Sequence, residues 1–530
     1  MAQSWWRGGV LYQIYPRSFR DTGGDGIGDL PGITEKLPYL AKLGVDGVWL
    51  SPFFKSPMAD YGYDVADYCD VDPMFGTLQD FDELLGTAHS LGLKIIIDQV
   101  YSHTSDQHAW FEESRKSRDN PKADWYVWAD AKPDGTPPTN WLSVFGGSAW
   151  TWDARRRQYY LHNFLSEQPD LNFHNPEVQE AVLDVARFWL DRGVDGFRLD
   201  VANYVAHDQD LRDNPPVGTV GHGRPGQFQQ HLYERSRPEA LAFAERLREV
   251  LDSYPDKMSV AEIDSTSPLE RAIQYTEGEV RYHTAYSFSL LRAPKLTPDV
   301  IRSSLEPYNR SGAWPSWSIS NHDVRRAVSR WSAGGDDEEL AKQLVILLLS
   351  LRGTIFLYQG DELGLPQAKL RYEDLLDPES KRFWPEDLGR DGARTPMPWQ
   401  ADAEHAGFSG GKPWMRVDER HAEKAADRQV DDPNSVFHVT KRFIATRRGS
   451  PALSEGSMSF LDLAPPLLGF ERRAGNSSAL FVFNLSGEEV RLAKDMLPQT
   501  SELVTEDLRH DEDEASIVFP PHGGLAAWLS

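Results

Sequence analysis

Short apolar runs alternate with longer amphipathic runs along most of the chain. The short runs have the length and the β-branched or aromatic content of buried strands, and eight are predicted as strands: residues 10–15, 45–50, 93–98, 196–200, 258–263, 285–290, 317–320 and 354–359. Between several of them apolar residues recur at i, i+3, i+4 and i+7, which predicts amphipathic helices. Strand–helix alternation of this kind is typical of parallel strands covered by helices.

Eight such units favour an α/β fold in which the strands close into a (β/α)8 TIM barrel, with an open doubly wound sheet as the alternative. Two stretches break the alternation. The polar, aromatic, turn-rich stretch after the third strand predicts an inserted subdomain, and period-two runs near the end predict a C-terminal antiparallel β-sandwich. The predicted domains are the first part of the barrel (1–103), the inserted subdomain B (104–171), the second part of the barrel with a polar insertion at about 364–432 (172–451), and the C-terminal sandwich (452–530).

The composition excludes several functions. The chain has 530 residues and a formal net charge of −25, which disfavours nucleic acid and anionic membrane surfaces as partners. Cys69 is the only cysteine, so no intrachain disulfide forms, and no secretory leader or membrane-spanning run is visible. We therefore expect a cytoplasmic protein, either a monomer or a small homo-oligomer.

Charged side chains cluster where the predicted strands end. The run VDGFRLDVAN places Arg198 and Asp200 at alternate positions, so both side chains point to one side of a strand. An isolated pair of this kind reads as a structural ion pair. However, other strand ends also carry such residues, and the set is Asp60, Tyr63, Asp98, His103, Glu262, His322 and Asp323. In a barrel these ends meet on one face, where active sites lie.

Carboxylates with one arginine and nearby aromatic rings suit the cleavage of a glycosidic bond. One carboxylate attacks the anomeric carbon, a protonated one donates to the leaving oxygen, and a third holds sugar hydroxyls. Arg198 would then keep Asp200 ionised and oriented. No arrangement typical of a serine or cysteine hydrolase, a zinc protease or a Walker A nucleotide site is evident in the sequence.

The chain resembles the α-amylase superfamily, glycoside hydrolase family 13, and within it the bacterial α-glucosidases and oligo-1,6-glucosidases. The resemblance covers nearly the whole chain and rests on the segments WWRGGVLYQIYPRSF, GDGIGDLPGI, DYGYD, DQVYSHTS, DGFRLD, AEI, SNHD, FLYQGDELG and DGARTPMPW. It implies a retaining double displacement with transglucosylation as a side activity. No cofactor is implied for the chemistry.

The resemblance also implies roles for individual residues. Asp200 would be the nucleophile, Glu262 the general acid/base and Asp323 the stabilising carboxylate, although Ala261 stands where the family usually has glycine, and Asp264 and Glu277 are nearby acids. The implied substrate-binding residues are Asp60, Tyr63, Asp98, His103, Arg198, Val201, His322 and Arg394. Phe145 and Phe164, in the predicted subdomain, are candidates for the pocket wall.

The loop DTGGDGIGD resembles the family's metal loop. Asp21, Asp25, Asp29 and the Ile27 carbonyl are the implied ligands of a structural Ca²⁺ or Mg²⁺, because hard cations prefer oxygen ligands. Gly23 stands where the family usually has Asn or Asp, so one side-chain ligand is missing. A hydrogen-bonded acidic turn is the alternative interpretation.

The signals for linkage conflict. Val201, directly after the nucleophile, goes with α-1,6 bonds in this family, whereas DQVYSH and DNPKADWYVWAD resemble the α-1,4 enzymes. We expect short α-1,4 glucosides such as maltose to be slightly preferred, with isomaltose and sucrose as alternatives. The loop HDQDLRDNPPVGTVGHGRPG is expected to crowd the aglycone side and favour disaccharides.

Two rival functions remain. A sucrose isomerase or glucosyltransferase would use the same scaffold. A non-enzymatic transporter heavy chain would also carry the barrel, but such proteins tend to lose the three carboxylates that this chain retains.

Overall fold

The computed structural model describes residues 4–218, 225–332, 337–385 and 389–530. The chain forms two compact units, each built from separated segments. One unit comprises Met1–Trp49, Gly86–Lys94 and Phe288–Ser530, and the other comprises Leu50–Leu85 and Ile95–Ser287. The domain boundaries predicted from the sequence differ from the boundaries of these two units, and they stay predictions.

Eight parallel strands form the central barrel sheet, as the sequence predicts. In chain order they are Val10–Ile14, Gly47–Leu50, Lys94–Gln99, Gly196–Leu199, Met258–Ile263, Thr284–Ser287, Ser316–Trp317 and Thr354–Tyr358, called barrel strands 1 to 8 here. Their order in the sheet is 6-5-4-3-2-1-8-7. This is the sequential order of a (β/α)8 barrel cut between strands 6 and 7, so the TIM-barrel prediction is confirmed and the doubly wound alternative is wrong.

A helix follows each barrel strand within the described residues. These helices are Leu30–Leu43, Leu78–Ser90, Pro176–Arg192, Pro238–Asp252, Pro268–Gln274, Pro298–Ser311, Glu338–Ser350 and Val436–Gly449. Capping sets their limits. Asp29 and Asn175 accept hydrogen bonds from first-turn N–H groups, while Gly44 (φ 99°) and Gly193 (φ 106°) end their helices in the left-handed region.

Barrel strand 6 differs from its prediction. The strand was expected over 285–290, but it ends at Ser287 and a short helix, Phe288–Leu291, follows directly. A short apolar run does not distinguish a buried strand from a buried helical turn, and Phe288, Leu290 and Leu291 are buried in the helical conformation. The sheet therefore loses three predicted strand residues here.

Small antiparallel sheets occupy the two stretches that break the barrel pattern. Trp128–Ala129, Gln158–Leu161 and Trp150–Asp153 form a three-stranded sheet in that order, packed on buried Trp141. The chain end forms one five-stranded and one three-stranded sheet, comprising Ser457–Phe460, Leu467–Ala474, Ser477–Asn484, Val490–Ala493, Thr500–Leu503, Asp511–Glu512, Ser516–Phe519 and Gly524–Leu529. Both sheets contribute to one apolar cluster, which is the packing expected of a sandwich.

The remaining α-helices of the described residues are single turns or short segments. They are Ala109–Ser114, Ala327–Trp331, Pro378–Phe383, Glu419–Glu423, Ala426–Asp431 and Pro451–Ser454. In the described part of the chain, no helix has both the length and the apolar composition needed to cross a membrane.

Candidate active site

The register of the parallel strands brings the charged strand ends together. Asp98 on barrel strand 3 lies directly opposite Arg198 on barrel strand 4. Glu262, on barrel strand 5, lies opposite Tyr286 on barrel strand 6. Because parallel strands end at the same edge, four neighbouring strands deliver their polar side chains to one place.

Arg198 is the centre of this group, and its side chain is fully buried. One terminal nitrogen, Nη1, donates to Asp98 Oδ1 at 2.8 Å and to Asp200 Oδ1 at 2.5 Å. The other, Nη2, donates to Glu262 Oε2 at 2.5 Å and to the Tyr286 hydroxyl at 2.8 Å. A single planar guanidinium thus binds three carboxylates, which lysine could not do with the same geometry.

The excess negative charge of this cluster favours the binding of a proton. Burial, and after it the charge on Asp98, raise the pKa of Asp200 to about 7, although Arg198 opposes them. Three carboxylates face one cation, so the cluster as a whole holds excess negative charge at a buried position. A site of this type can keep one carboxyl ionised while another carries a proton, as acid–base chemistry requires.

The acids that rivalled Glu262 in the sequence lie elsewhere. Asp264 accepts hydrogen bonds from the Tyr204 hydroxyl at 3.1 Å and from Arg235 Nη1 at 3.0 Å. Glu277 is exposed in a short 3₁₀ turn. Of these three acids, Glu262 is the one that Arg198 binds.

The predicted sugar ligands of the same unit form a chain of contacts. Tyr63 donates from its hydroxyl to Asp98 Oδ2 at 3.2 Å, and its carbonyl lies 3.0 Å from His103 Nε2. Gln168 lies 3.1 Å from the same ring nitrogen and donates to Asp60 Oδ2 at 3.3 Å. Burial lowers the pKa of His103 to about 4, so the ring is neutral at neutral pH.

Aromatic rings flank this chain of contacts. Phe164 lies 5.2 Å from the ring of His103 and 5.4 Å from that of Tyr204. Phe145 is 6.1 Å from Phe164 in an edge-to-face arrangement. Both phenylalanines predicted as wall residues therefore belong to one aromatic group, which also contains Tyr204.

Asp323, His322 and Arg394 form a second cluster, in the other unit. Arg394 Nη2 donates to Asp323 Oδ1 at 2.8 Å, and its Nε donates to the His322 carbonyl at 2.7 Å. His322 Nε2 is 3.3 Å from Asp323 Oδ2. The three residues predicted from SNHD and RTPMPW are thus in direct contact with one another.

Further contacts fix His322 and Asp323. Gln13 Nε2 lies 2.8 Å from His322 Nδ1, and the Tyr15 ring stacks on the imidazole at 5.7 Å. Arg390 Nη1 reaches Asp323 Oδ1 at 3.5 Å while its Nε donates to Asp377 Oδ2 at 2.9 Å. Two arginines therefore face the predicted stabilising carboxylate.

The predicted metal loop does not fit a metal site. Its carboxylates accept main-chain hydrogen bonds instead: Asp21 from Gly24 and Gly26, Asp25 from Ile27, and Asp29 from Thr22, Gly23 and Gly32. Across the described ranges, no group of three acidic, histidine or cysteine side chains converges as a cation would require. The alternative interpretation, a hydrogen-bonded acidic turn, describes this loop.

Sequence reasoning missed Tyr286, Gln168 and Arg390. Tyr286 could have been found, because it lies in the predicted strand 285–290, which neighbours the strand of Glu262. Gln168 and Arg390 come from irregular segments, where periodicity gives no signal. The loop predicted to crowd the aglycone side, residues 207–226, lies partly outside the described residues.

The comparisons with known proteins identify the family. Residues 13–456 match the family described as "Alpha amylase, catalytic domain". This chain belongs to the alpha-amylase family. It is therefore a glycoside hydrolase of the family whose members share a retaining mechanism, and that chemistry needs no cofactor.

This alpha-amylase family member is similar to known proteins over most of their length. It is 54% identical to a "Probable alpha-glucosidase" of Rhizobium meliloti, covering 92% of this chain and 90% of the relative. It is 40% identical to an "Oligo-1,6-glucosidase" of Heyndrickxia coagulans, covering 92% and 93%. The chain thus falls in the α-glucosidase and oligo-1,6-glucosidase group.

Two solved structures are similar over the whole chain. The alpha-glucosyl transfer enzyme XgtA superposes with a TM-score of 0.96 at 52% identity, covering 100% of both chains. The trehalulose synthase MutB of Pseudomonas mesoacidophila superposes with a TM-score of 0.92 at 33% identity, also covering 100% of both. A glucosyl transfer enzyme and a trehalulose synthase therefore share this architecture.

Proposed function

We propose that this enzyme is a retaining, exo-acting α-glucosidase that releases α-glucose from the non-reducing end of short α-glucosides. Asp200 acts as the nucleophile, and Glu262 protonates the leaving oxygen and then activates the water. Asp323 stabilises the transition state. The similarity to the probable alpha-glucosidase of Rhizobium meliloti supports this substrate class.

The observation that carries the proposal is the shared guanidinium. Arg198 donates to Asp200 through Nη1 and to Glu262 through Nη2, both at 2.5 Å. Two carboxyl groups bound by the two ends of one guanidinium are close neighbours. This favours the short carboxyl separation of retaining enzymes, about 5–5.5 Å, over the roughly 6.5–9.5 Å of inverting enzymes.

We propose the remaining substrate roles by the same reasoning. Asp60, Tyr63, Asp98 and His103 bind the non-reducing glucose together with His322 and Arg394. Phe145, Phe164 and Val201 line the sugar site. Maltose-type α-1,4 disaccharides are the proposed preferred substrates, and a single cysteine, Cys69, suits a reducing, cytoplasmic setting.

Glucosyl transfer is a second candidate activity. The high similarity to XgtA, described as an alpha-glucosyl transfer enzyme, favours it specifically. In a double displacement the glucosyl-enzyme is attacked by whichever acceptor reaches it, so water gives hydrolysis and a sugar or alcohol gives transfer. We propose transglucosylation as a side activity.

The test is a substrate panel with a nucleophile variant. Maltose, isomaltose, sucrose, trehalose and nitrophenyl α-glucoside are compared, and the first anomer released is identified by NMR. We expect α-glucose first, and Asp200→Asn should lower kcat by about 10⁴-fold or more because no covalent intermediate forms.

Asp184→Asn, at an exposed position on the helix Pro176–Arg192, is the matched control and should keep wild-type activity. Substantial turnover by Asp200→Asn, or release of the β-anomer, would refute the mechanism. Rearranged disaccharide from sucrose without free glucose would favour an isomerase instead.

A further inference from the structure

The residues that follow Asp200 bind the end of the strand that carries Glu262. Val201 donates its main-chain N–H to Glu262 Oε2 at 3.2 Å. Ala202 donates its N–H to the Glu262 carbonyl at 3.0 Å. Two consecutive residues after the proposed nucleophile thus hold the side chain and the main chain of the proposed acid/base.

Asn203 completes this connection with its side chain. Its Nδ2 donates to the Asp264 carbonyl at 2.7 Å, and its Oδ1 accepts the Asp264 N–H at 3.2 Å. Both polar atoms of the Asn203 amide therefore bind the main chain of Asp264, in the segment after barrel strand 5. Asn203 is fully buried, so no water competes for these bonds.

Asp264 is held from the other side as well. Its carboxylate accepts hydrogen bonds from Tyr204 and Arg235, and Asn203 also donates to the Ser236 hydroxyl at 2.9 Å. The segments after barrel strands 4 and 5 are thus joined by a continuous set of bonds, with Asn203 at its centre.

Val201 keeps a backbone conformation in this arrangement that its residue type disfavours. Its φ is 35°, a value that β-branched residues rarely adopt. Such a conformation costs on the order of 1–3 kcal/mol and persists only where surrounding contacts determine it, often at active sites. At Val201 the strained backbone aims an N–H at Glu262.

We propose that Asn203 is a positioning residue for Glu262: its amide locks the segment after the nucleophile to the segment after the acid/base. This inference rests on the proposed function. Asn203 touches neither carboxyl group, and it acts by fixing the main chain from which Glu262 projects. The hydrogen bonds between Asn203 and Asp264 thus determine where the Glu262 proton lies relative to the leaving oxygen.

A misplaced general acid has a specific kinetic signature. Cleavage of a poor leaving group, such as the sugar of maltose, requires protonation in the transition state, whereas a dinitrophenolate departs with little help. Loss of these hydrogen bonds should therefore slow the cleavage of the two kinds of substrate unequally. A merely structural role would lower the amount of folded enzyme and slow both substrates equally.

The experiment compares kcat/KM of the full chain for maltose and 2,4-dinitrophenyl α-glucoside in Asn203→Ala and Asn203→Asp. We expect Asn203→Ala to lose about 10²-fold on maltose and less than about 5-fold on the activated substrate. Asn203→Asp keeps the shape and the acceptor for the Asp264 N–H, so its loss on maltose should be intermediate. Thermal melting reports the folded fraction of each variant.

Asn484→Ala is the matched control. Asn484 is also fully buried and also clamps main-chain carbonyls, those of Glu488, Phe519 and Pro520, but in the C-terminal sheets. It should lower stability and leave the ratio of the two kcat/KM values unchanged. Equal losses on both substrates in the folded Asn203 variants would overturn the proposal.

Failure of the proposed function is distinguishable from failure of this inference. If the enzyme is not an α-glucosidase, the unmodified chain turns over neither substrate and Asp200→Asn changes nothing. If only the positioning role is wrong, the unmodified chain is active, Asp200→Asn is inactive, and the Asn203 variants show no leaving-group dependence.

Discussion

At the scale of single residues, Arg198 determines the electrostatics of the candidate active site. It is fully buried and binds Asp98, Asp200 and Glu262. Removing one member of a buried charge network leaves the others uncompensated, which is costly. The arginine therefore compensates the buried carboxylates at the strand ends and favours the ionised form of Asp200.

The pH dependence of activity tests this role. Burial raises the pKa of Asp200 to about 7 and Arg198 opposes the rise, so removing the cation should raise that pKa further. Because a carboxylate in the nucleophile role proposed for Asp200 must be ionised, we expect activity to be lost as pH falls through this pKa. Arg198→Gln should therefore move the acidic limb of kcat/KM upward by about 1–3 pH units.

Arg198→Lys separates charge from geometry in the same measurement. The lysine keeps the positive charge, so the acidic limb of kcat/KM should move little. It loses the forked hydrogen bonds of the guanidinium, so kcat should fall. Arg192→Gln, which removes a surface arginine paired with Asp82, is the control and should leave the profile unchanged. An unshifted acidic limb in folded Arg198→Gln would contradict the assignment.

At the scale of elements, the acidic loop before the first barrel helix caps that helix. Asp29 accepts from Gly32 N–H at 2.6 Å as the N-cap of Leu30–Leu43, and also from Thr22 and Gly23. The main-chain N–H groups thus donate hydrogen bonds to the carboxylates at the place where the sequence predicts a cation. A Cβ at Gly23 would lie 3.6 Å from Asp21 Oδ1 and 3.7 Å from Asp29 Oδ2, an ordinary contact distance.

This geometry predicts that Gly23→Asp creates a divalent-cation site. A third carboxylate between Asp21 and Asp29 would repel them in the absence of metal and complete an oxygen-rich set in its presence. We expect the melting temperature of the variant to rise with Ca²⁺, with about 2.7 kcal/mol of stabilisation at a hundredfold excess over Kd. Melting curves in EDTA and in Ca²⁺ measure this.

Gly24→Asp supplies the comparison, because a Cβ there meets nothing within 4 Å although its φ of 77° is strained. It adds the same charge and should not respond to Ca²⁺. If the unmodified chain already loses stability in EDTA, the hydrogen-bonded loop does bind metal and the structural interpretation is wrong.

At the scale of the whole molecule, the sequence determines the barrel more clearly than the site. Period and turn signals locate all eight barrel strands to within a few residues, because burial on both faces leaves continuous apolar runs such as MSVAEI; the seventh strand, predicted over 317–320, is Ser316–Trp317. The strand ends then locate Asp98, Arg198, Asp200 and Glu262. What periodicity cannot supply is contact between distant irregular segments: Gln168 beside His103, or the bonds from Asn203 to Asp264, depend on how loops pack in three dimensions.

Two buried arginines, Arg472 in the C-terminal sheets and Arg447 on the helix Val436–Gly449, bind main-chain carbonyls. Arg472 donates to the carbonyls of Ser350, Leu453, Gly456 and Ser457 at 2.6–3.3 Å. Arg447 donates to Leu349, Leu351 and Gly353 at 2.5–3.0 Å. Both bind the C-terminal end of the helix Glu338–Ser350, where unpaired carbonyls and the helix dipole favour a cation.

Arg472→Lys tests whether the connection from the C-terminal sheets to Ser350, at the end of a barrel helix, depends on the guanidinium. An ammonium cannot reach four carbonyls in a fork, so we expect the free energy of unfolding to fall by about 2–4 kcal/mol in denaturant titrations. Burial should lower the pKa of the new lysine below its unfolded value of about 10.4. The folded variant then binds fewer protons than the unfolded chain, so its deficit should shrink as pH rises from 7 to 9. Arg473→Lys, at the exposed neighbouring position, should change stability by less than about 0.5 kcal/mol at either pH. An equal effect of the two substitutions would mean that the buried guanidinium contributes no more than a surface charge.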